Sequence, residues 1–250
     1  LDRRFIVSVL ARLKSSVAKR GVFGVVAGTR LSGKSTVAGT LPGNTLLLQA
    51  KLIETGSRSA QKLADKLGNS LDIAEFSTLK DLYDVIEELG EDTHYKNIYI
   101  DGMSAITELK HDEPEMRKMM KKNVWDAYRE IGTSAATILY AAKGLSEETG
   151  KNVFFTLALK EKYDSMGNLV NLDPDIKGNM TLGSIKKICP VVVCLRATLD
   201  EDGNTVREVL TASEGPFSAR VDELIDDENP GVLPADLGKV LNLLNGGSNE

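Results

Sequence analysis

The run Gly28-Thr29-Arg30-Leu31-Ser32-Gly33-Lys34-Ser35 is a complete Walker A phosphate loop, and it directly follows the apolar run Val22-Phe-Gly-Val-Val-Ala27. The chemistry such a loop supports is the binding of a nucleoside triphosphate. Its glycines let successive backbone N–H groups turn inward around the phosphates. Its lysine reaches the β- and γ-oxygens, and its final hydroxyl completes the shell of a Mg²⁺ ion. Gly28 through Ser35, together with Thr36, are therefore the expected nucleotide contacts, with Lys34 as the cation that acts in catalysis. Arg30 is an unusual charge inside the loop, read as extra phosphate attraction.

A second acid is needed for the metal. Asp101 ends the apolar run Asn97-Ile-Tyr-Ile-Asp101, the place of a Walker B carboxylate that holds Mg²⁺ mainly through a water and the Ser35 hydroxyl. Ser35 and Asp101 are the expected metal residues, and ATP with Mg²⁺ the expected cofactors. The residue after Asp101 is Gly102, where many ring-forming ATPases carry a water-activating Glu, so hydrolysis needs a carboxylate from elsewhere. With only His94 and His111 in the chain, a His-based metal cluster or a Ser-His-Asp triad has no material.

Those residues must be positioned by alternating strands and helices. Ile6, Val9, Leu10, Leu13 and Val17 recur at helical spacing before Gly21 and predict an opening helix over 1–20. The first strand and phosphate loop lead into a helix from Lys34 to about Gly39, a turn at Pro42-Gly-Asn44 and a strand Thr45–Gln49. Helix 59–68, strand 71–76, a helix through Leu79, Leu82, Ile86 and Leu89, and strand 97–101 follow. Two helices are predicted over about 113–145, a strand over 152–157 and a hairpin or loop over 157–178. Helix 179–188, strands 190–197 and 205–212, and a terminal helix through Leu237, Val240, Leu241 and Leu244 complete the order. The α/β pattern implies a mainly parallel sheet with helices on both faces and the nucleotide at the C-terminal ends of the strands. The expected organisation is an N-terminal helix (1–20), one ATPase core (21–225), and a C-terminal helix and tail (226–250).

Bulk properties bound the function. The 250 residues are 42% hydrophobic and 27% charged, enough for one sizeable core. No apolar run approaches the ~18 to 20 residues that span a bilayer, and the start lacks a secretory layout, so a soluble, cytoplasmic protein is expected. Leu1 is not an initiator methionine, so the chain need not begin where its gene does. Cys189 and Cys194 flank Pro190-Val-Val-Val193 and read as buried free thiols in a reducing compartment. Residues 1–20 carry six Lys/Arg against one Asp, whereas 200–230 carry ten Asp/Glu against two Arg. That polarity suits head-to-tail subunit packing or a basic face for a polyanion, and equally suits an uneven solvated surface.

Walker A, a Leu-rich second strand, Asp101-Gly-Met-Ser-Ala-Ile106 after the Walker B position, and a polar residue ending the next core strand together resemble the RecA-like P-loop ATPase core. More narrowly, the layout is similar to compact phage-type ATPases, including single-strand-annealing recombinases. The resemblance covers about residues 20–225, and Walker A and B are its specific parts. It implies a catalytic Glu just past the second strand. Here Gln49 and Lys51 stand at the nearest positions and the first carboxylate is Glu54, which is either the water-orienting group or a solvated loop residue. It implies a γ-phosphate sensor at Thr156, alternatively a core Thr bonded to its own backbone. It implies an arginine finger at Arg220, alternatively a surface ion pair.

The same resemblance places DNA loops after Walker B and after the next core strand. Arg117, Lys118, Lys121 and Lys122 precede Trp125 and Tyr128, cations beside aromatics as single-strand binding needs. A helix with a basic solvated face and an aromatic core face gives the same spacing. Lys160 and Lys162, with Tyr163 and Lys177, belong to the second expected DNA segment. The implied function is a Mg-ATP-dependent, DNA-stimulated ATP hydrolase acting on single-stranded DNA in recombination or annealing, in the cytoplasm (a host's, if phage-encoded). Its implied partners are further copies of itself in a ring or filament, single-stranded DNA and a single-strand-binding protein. A non-hydrolysing nucleotide switch or packaging component, and a small-molecule P-loop kinase, remain open alternatives. The kinase reading is weakened because 160–178 holds Lys but no Arg for a lid.

Overall fold

The computed structural model describes residues 20–51, 56–177, 179–222, 224 and 229–247. The expected opening helix and Glu54 lie outside the described residues.

The sheet is built around β1 (Phe23–Gly28), whose six residues are all buried. A strand with parallel neighbours and both faces covered reads as a continuous apolar run rather than an alternating one. Its neighbours are β5 (Asn152–Tyr163) and β7 (Val191–Leu199), both parallel to it. Beyond β5 lie β4 (Asn97–Asp101), β2 (Asn44–Ala50) and β3 (Ser70–Phe76), also parallel. Beyond β7 the sheet turns antiparallel through β8 (Thr205–Leu210) and β10 (Val232–Pro234). The path is β10-β8-β7-β1-β5-β4-β2-β3, with β6 (Leu169–Pro174) paired to β5 and the short β9 (Arg220–Val221) to β7. The strand carrying Asp101 is thus separated from the phosphate-loop strand by β5.

Alternation of side chains gives two cores. On one face Val26, Leu47, Tyr99, Phe154 and Val193 pack against the short 3-10 helix Thr36–Thr40, α1 (Ser57–Leu67) and α7 (Leu237–Leu244). On the other, Val25, Leu48, Ile100 and Phe155 meet α2 (Leu79–Glu88), α3 (Met103–Asp112), α5 (Val124–Thr149) and α6 (Asn179–Ile188). The fold is α/β, with a mostly parallel mixed sheet and helices on both faces. Among the described residues no helix is long and apolar enough to cross a membrane. Both cysteines are buried and free.

Besides the short strands β9 and β10, which the sequence pattern does not mark, three elements differ from expectation. The helix after the phosphate loop is a five-residue 3-10 helix, not an α-helix from Lys34. Leu41 is extended because Pro42 follows it, which stops the helix. Helix α3 is new; Met103, Ala105, Ile106 and Thr107 are buried nearly in succession, so no amphipathic period marks it. The strand expected over 152–157 runs to Tyr163 and forms an antiparallel ribbon with β6, from Leu159↔Pro174 to Lys162↔Asn171. Asp164 organises its turn by accepting from the backbone N–H groups of Met166 and Asn168. The C-terminal helix joins the phosphate-loop face directly: the Leu237 N–H donates to Thr40 Oγ1 at 2.8 Å.

Candidate nucleotide site

The phosphate loop leaves the buried end of β1 at the C-terminal edge of the sheet. Ser32 N–H donates to the Thr29 carbonyl at 3.3 Å, closing a turn in which Leu31 takes a left-handed φ of 67°. That position favours glycine, and the Leu31 side chain is 83% exposed. Gly33, at φ 99°, uses the freedom of a residue without Cβ. The Lys34 ammonium donates to the carbonyls of Gly28 (2.9 Å) and Thr29 (2.7 Å), spanning the loop. Ser32 Oγ is buried without a hydrogen-bond partner, in the space that a Cβ on Gly28 would fill. Thr36 Oγ1 pairs with Ser59 Oγ at 2.8 Å and ties the loop to α1. Gly56 passes so close to Ser35 that a Cβ on it would lie 2.3 Å from Ser35 Cβ. Arg30 is exposed at the turn.

Tyr99 fixes the loop to the sheet. Its hydroxyl donates to the Lys34 carbonyl, and burial, with the Asp101 carboxylate nearby, holds its phenol well above the ordinary range. Two residues further along the same face of β4 stands Asp101, 2% exposed. It forms part of a row laid down by register: Glu75 opposite Gln49, and Gln49 opposite Asp101. On the next strand Thr156 donates its hydroxyl to Asp101 Oδ1 at 2.6 Å. This bond to Asp101 replaces the alternative of a Thr bonded to its own backbone. Gly102 is explained by the same contact, since a Cβ there would lie 2.1 Å from Thr156 Oγ1. A side chain after Asp101 would force Thr156 to shift. Asp101 Oδ2 and Gln49 Oε1 are buried acceptors without a partner.

Arg220 sits elsewhere. Its strand β9 pairs with Val191 and Val192 near the start of β7. Its guanidinium donates to the carbonyls of Lys186 and Cys189, both at 2.8 Å, and approaches Asp222 at 3.5 Å. Within the subunit it caps the C-terminus of α6, so the structure brings it to no nucleotide residue. A different arginine does approach the loop. Arg207 on β8 lies over Gly33, where an added Cβ would meet its Cδ at 3.1 Å. Arg196, on the opposite face of the same hairpin, is bound by Glu208 (2.7 Å) and Glu214 (2.5 Å). Sequence reasoning missed Arg207 because only the β7–β8 pairing carries it back to the loop. Tyr99 and Glu75 were missed because the pairing of β2 with β3 and β4 brings them into the row, although the alternation of β4 places Tyr99 on Asp101's side.

The basic segment is α4 (Pro114–Lys122), joined to α3 through Glu113 and to α5 through Asn123. Arg117, Lys118, Lys121 and Lys122 are exposed. Trp125 is 81% exposed and Tyr128 also faces solvent, so the aromatics are not a core face. The Asn123 side chain caps α5 by accepting from the N–H groups of Trp125 and Asp126, which holds Trp125 on the first turn. Lys160 pairs with Asp175 at 2.6 Å, and Lys162 is exposed on the β5–β6 ribbon. The two basic segments meet at Asp112. A hydrogen bond from His111, with Arg117 and Lys177 adding their charges, holds that carboxyl below its usual range. Lys177 N–H also donates to Thr107 Oγ1 on α3. Compared with known families and curated proteins, the chain matches no family model and no curated sequence.

Proposed function

We propose that this protein is a Mg²⁺-dependent ATPase of RecA-like type that acts on single-stranded DNA as a homo-oligomer. The observation that carries the reading is the buried Asp101–Thr156 pair standing two residues beyond Tyr99, which itself holds the backbone of the loop lysine. The polar residues face the same side of the sheet as the loop. Asp101 Oδ2, a buried carboxylate oxygen with no partner, fits a hydrated divalent cation better than a structural role, because burying an unpaired acceptor is costly. Asp101 and Ser35 would hold Mg²⁺; Lys34 and the loop N–H groups would hold the triphosphate. Bound there, Mg²⁺ neutralises charge on the phosphates and orients them.

Each residue of the chain then has a task. Thr156 fixes one oxygen of Asp101 and leaves the other directed to the site. Tyr99 fixes the start of the loop-to-helix turn. From Asp101 the chain passes directly into α3, and α3 carries Thr107 and Asp112, on which Lys177 and Arg117 converge. A shift at Asp101–Gly102 therefore has a short covalent path to the exposed cations and Trp125. Single-stranded DNA would lie along that surface, its phosphates against α4 and its bases against Trp125. Gly102, in place of a carboxylate, favours a second reading, a nucleotide switch that binds ATP without turnover.

The test is ATP hydrolysis with and without single-stranded DNA, at low and moderate salt, with Lys34→Ala as the blank. Salt-sensitive stimulation by DNA is the expected outcome. ATP binding without turnover and without a DNA effect would favour the switch.

A further inference from the structure

We infer that Gln49 holds the hydrolytic water, with Glu75 as the residue that orients it. The inference rests on the ATPase reading above and supplies the water-orienting group that Gly102 cannot. Gln49 is 6% exposed, and its Nε2 donates to Glu75 Oε1 at 3.0 Å. An ionised carboxylate only accepts hydrogen bonds. The amide is thereby locked with its NH₂ toward Glu75, and Oε1 is turned away from it. Oε1 meets no donor in the protein, and neither does Oδ2 of Asp101, its register partner on the adjacent strand.

Two unpartnered buried acceptors stand on residues paired in register across neighbouring strands, and each lacks a donor. Strands are about 4.8 Å apart, a span that one water bridges with its two O–H groups. A water is a sufficient partner for both, and buried polar groups are normally satisfied in this way. The geometry points to a water held by Gln49 Oε1 and Asp101 Oδ2, on the side of the sheet that carries the phosphate loop; the second lone pair of Oδ2 is left for a water of the hydrated cation. A neutral amide has one advantage over a carboxylate here. With the carboxyl groups of Glu75 and Asp101 at the register positions on either side, a carboxyl in place of the Gln49 amide would put three acids in one row.

In hydrolysis the water oxygen forms a bond to the γ-phosphorus as the bond to the β,γ-bridging oxygen breaks. The electron pair leaves with ADP. One of the water's protons stays on the released phosphate and the other passes to solvent. Gln49 withdraws no proton; it aligns the lone pair.

The test combines a structure with kinetics. A high-resolution crystal structure of the nucleotide-free protein should show a water within hydrogen-bond distance of both Gln49 Oε1 and Asp101 Oδ2, and the same structure of Gln49→Met should lack it. Gln49→Met keeps side-chain length and removes the acceptor. It should lower kcat on the order of 10²-fold while leaving ATP affinity by calorimetry unchanged. Glu75→Gln, which lets the amide turn over, should lower kcat by less and leave the water less ordered. Absence of the water, or Gln49→Met turnover equal to that of the unsubstituted protein, would overturn the inference while Lys34→Ala still marks the nucleotide site. If the unsubstituted protein binds no ATP, the ATPase reading fails, and the catalytic role of Gln49 with it. If it binds ATP without turnover, the switch reading stands and the role of Gln49 is overturned.

Discussion

Two polar surfaces of this molecule are built on opposite principles. At the C-terminal edge of the sheet, Glu75, Gln49, Asp101 and Thr156 form a row set by strand register, with all but Glu75 buried. On the α4–α5 corner and the β5–β6 ribbon, Arg117, Lys118, Lys121, Lys122 and Lys162 are exposed, and such ion pairs as exist, Arg117–Asp112 at 3.8 Å among them, lie at the surface. A buried hydrogen bond has no bulk solvent to replace a lost partner, so each atom of the row is specified individually. Exposed charges act through a screened field, so they contribute collectively and are separately dispensable. Single substitutions should therefore be severe in the first region and graded in the second.

The largest effect is expected at the loop itself. Lys34→Ala should weaken ATP binding by at least on the order of 10²-fold, read by calorimetry. Gly102→Ala comes next, because the added Cβ meets Thr156 Oγ1. It should break the Asp101–Thr156 bond and cost about 2 to 4 kcal/mol of stability, measured by chemical denaturation. Restoring stability with Gly102→Ala/Thr156→Ser would sharpen the assignment only partly, whereas Gly102→Ala/Thr156→Gly should relieve the clash. Tyr99→Phe removes one hydrogen bond to the Lys34 carbonyl and should cost about 1 kcal/mol, with weaker nucleotide binding. A Tyr99→Phe variant as stable and as tight as the original would break the link between β4 and the loop.

On the exposed surface, Trp125→Ala should weaken single-strand binding by about 1 to 3 kcal/mol and leave DNA-independent turnover intact. Lys118→Ala, Lys121→Ala and Lys122→Ala should each lower DNA affinity modestly and reduce its salt dependence by about one ion per lysine. A single lysine whose removal abolished DNA binding would contradict the collective picture. The smallest effect concerns the cysteines. Burial pushes the thiols of Cys189 and Cys194 up to about 12, so thiolate is scarce at neutral pH and rises only as pH nears that value. Alkylation of the native protein at pH 8 should be slow at both and become fast on denaturation; rapid native labelling would show that the sheet opens there.

Much of this was legible in the chain. The Walker A pattern of Gly28–Ser35 and the strand-end position of Asp101 are legible by motif and by place after an apolar run, because each is a matter of local residue order. The strand–helix alternation follows from periodicity, and α1, α2, α6 and α7 stand within two or three residues of where their apolar spacing puts them. Helix α3 was hidden because its buried residues are nearly consecutive. Gln49 stood in view beside the expected catalytic position, yet nothing in its neighbours in sequence tells that Glu75, 26 residues on, accepts from its amide. Arg220 shows the converse: a basic residue at a suggestive place in the chain is held by the end of a helix.

The sequence by itself determined where the Walker A pattern lies, which runs form strands, and that two segments carry cations near aromatics, since each of these depends on residues a few positions apart. Tertiary structure alone decided that β5 lies between the two motif strands, that Gly102 lies against Thr156, that Arg207 reaches Gly33 and that Gln49 and Asp101 stand at paired positions of β2 and β4. Those relations depend on strand order and register. Register is set by how whole faces of the sheet bury their side chains, and no local stretch of the chain contains that information.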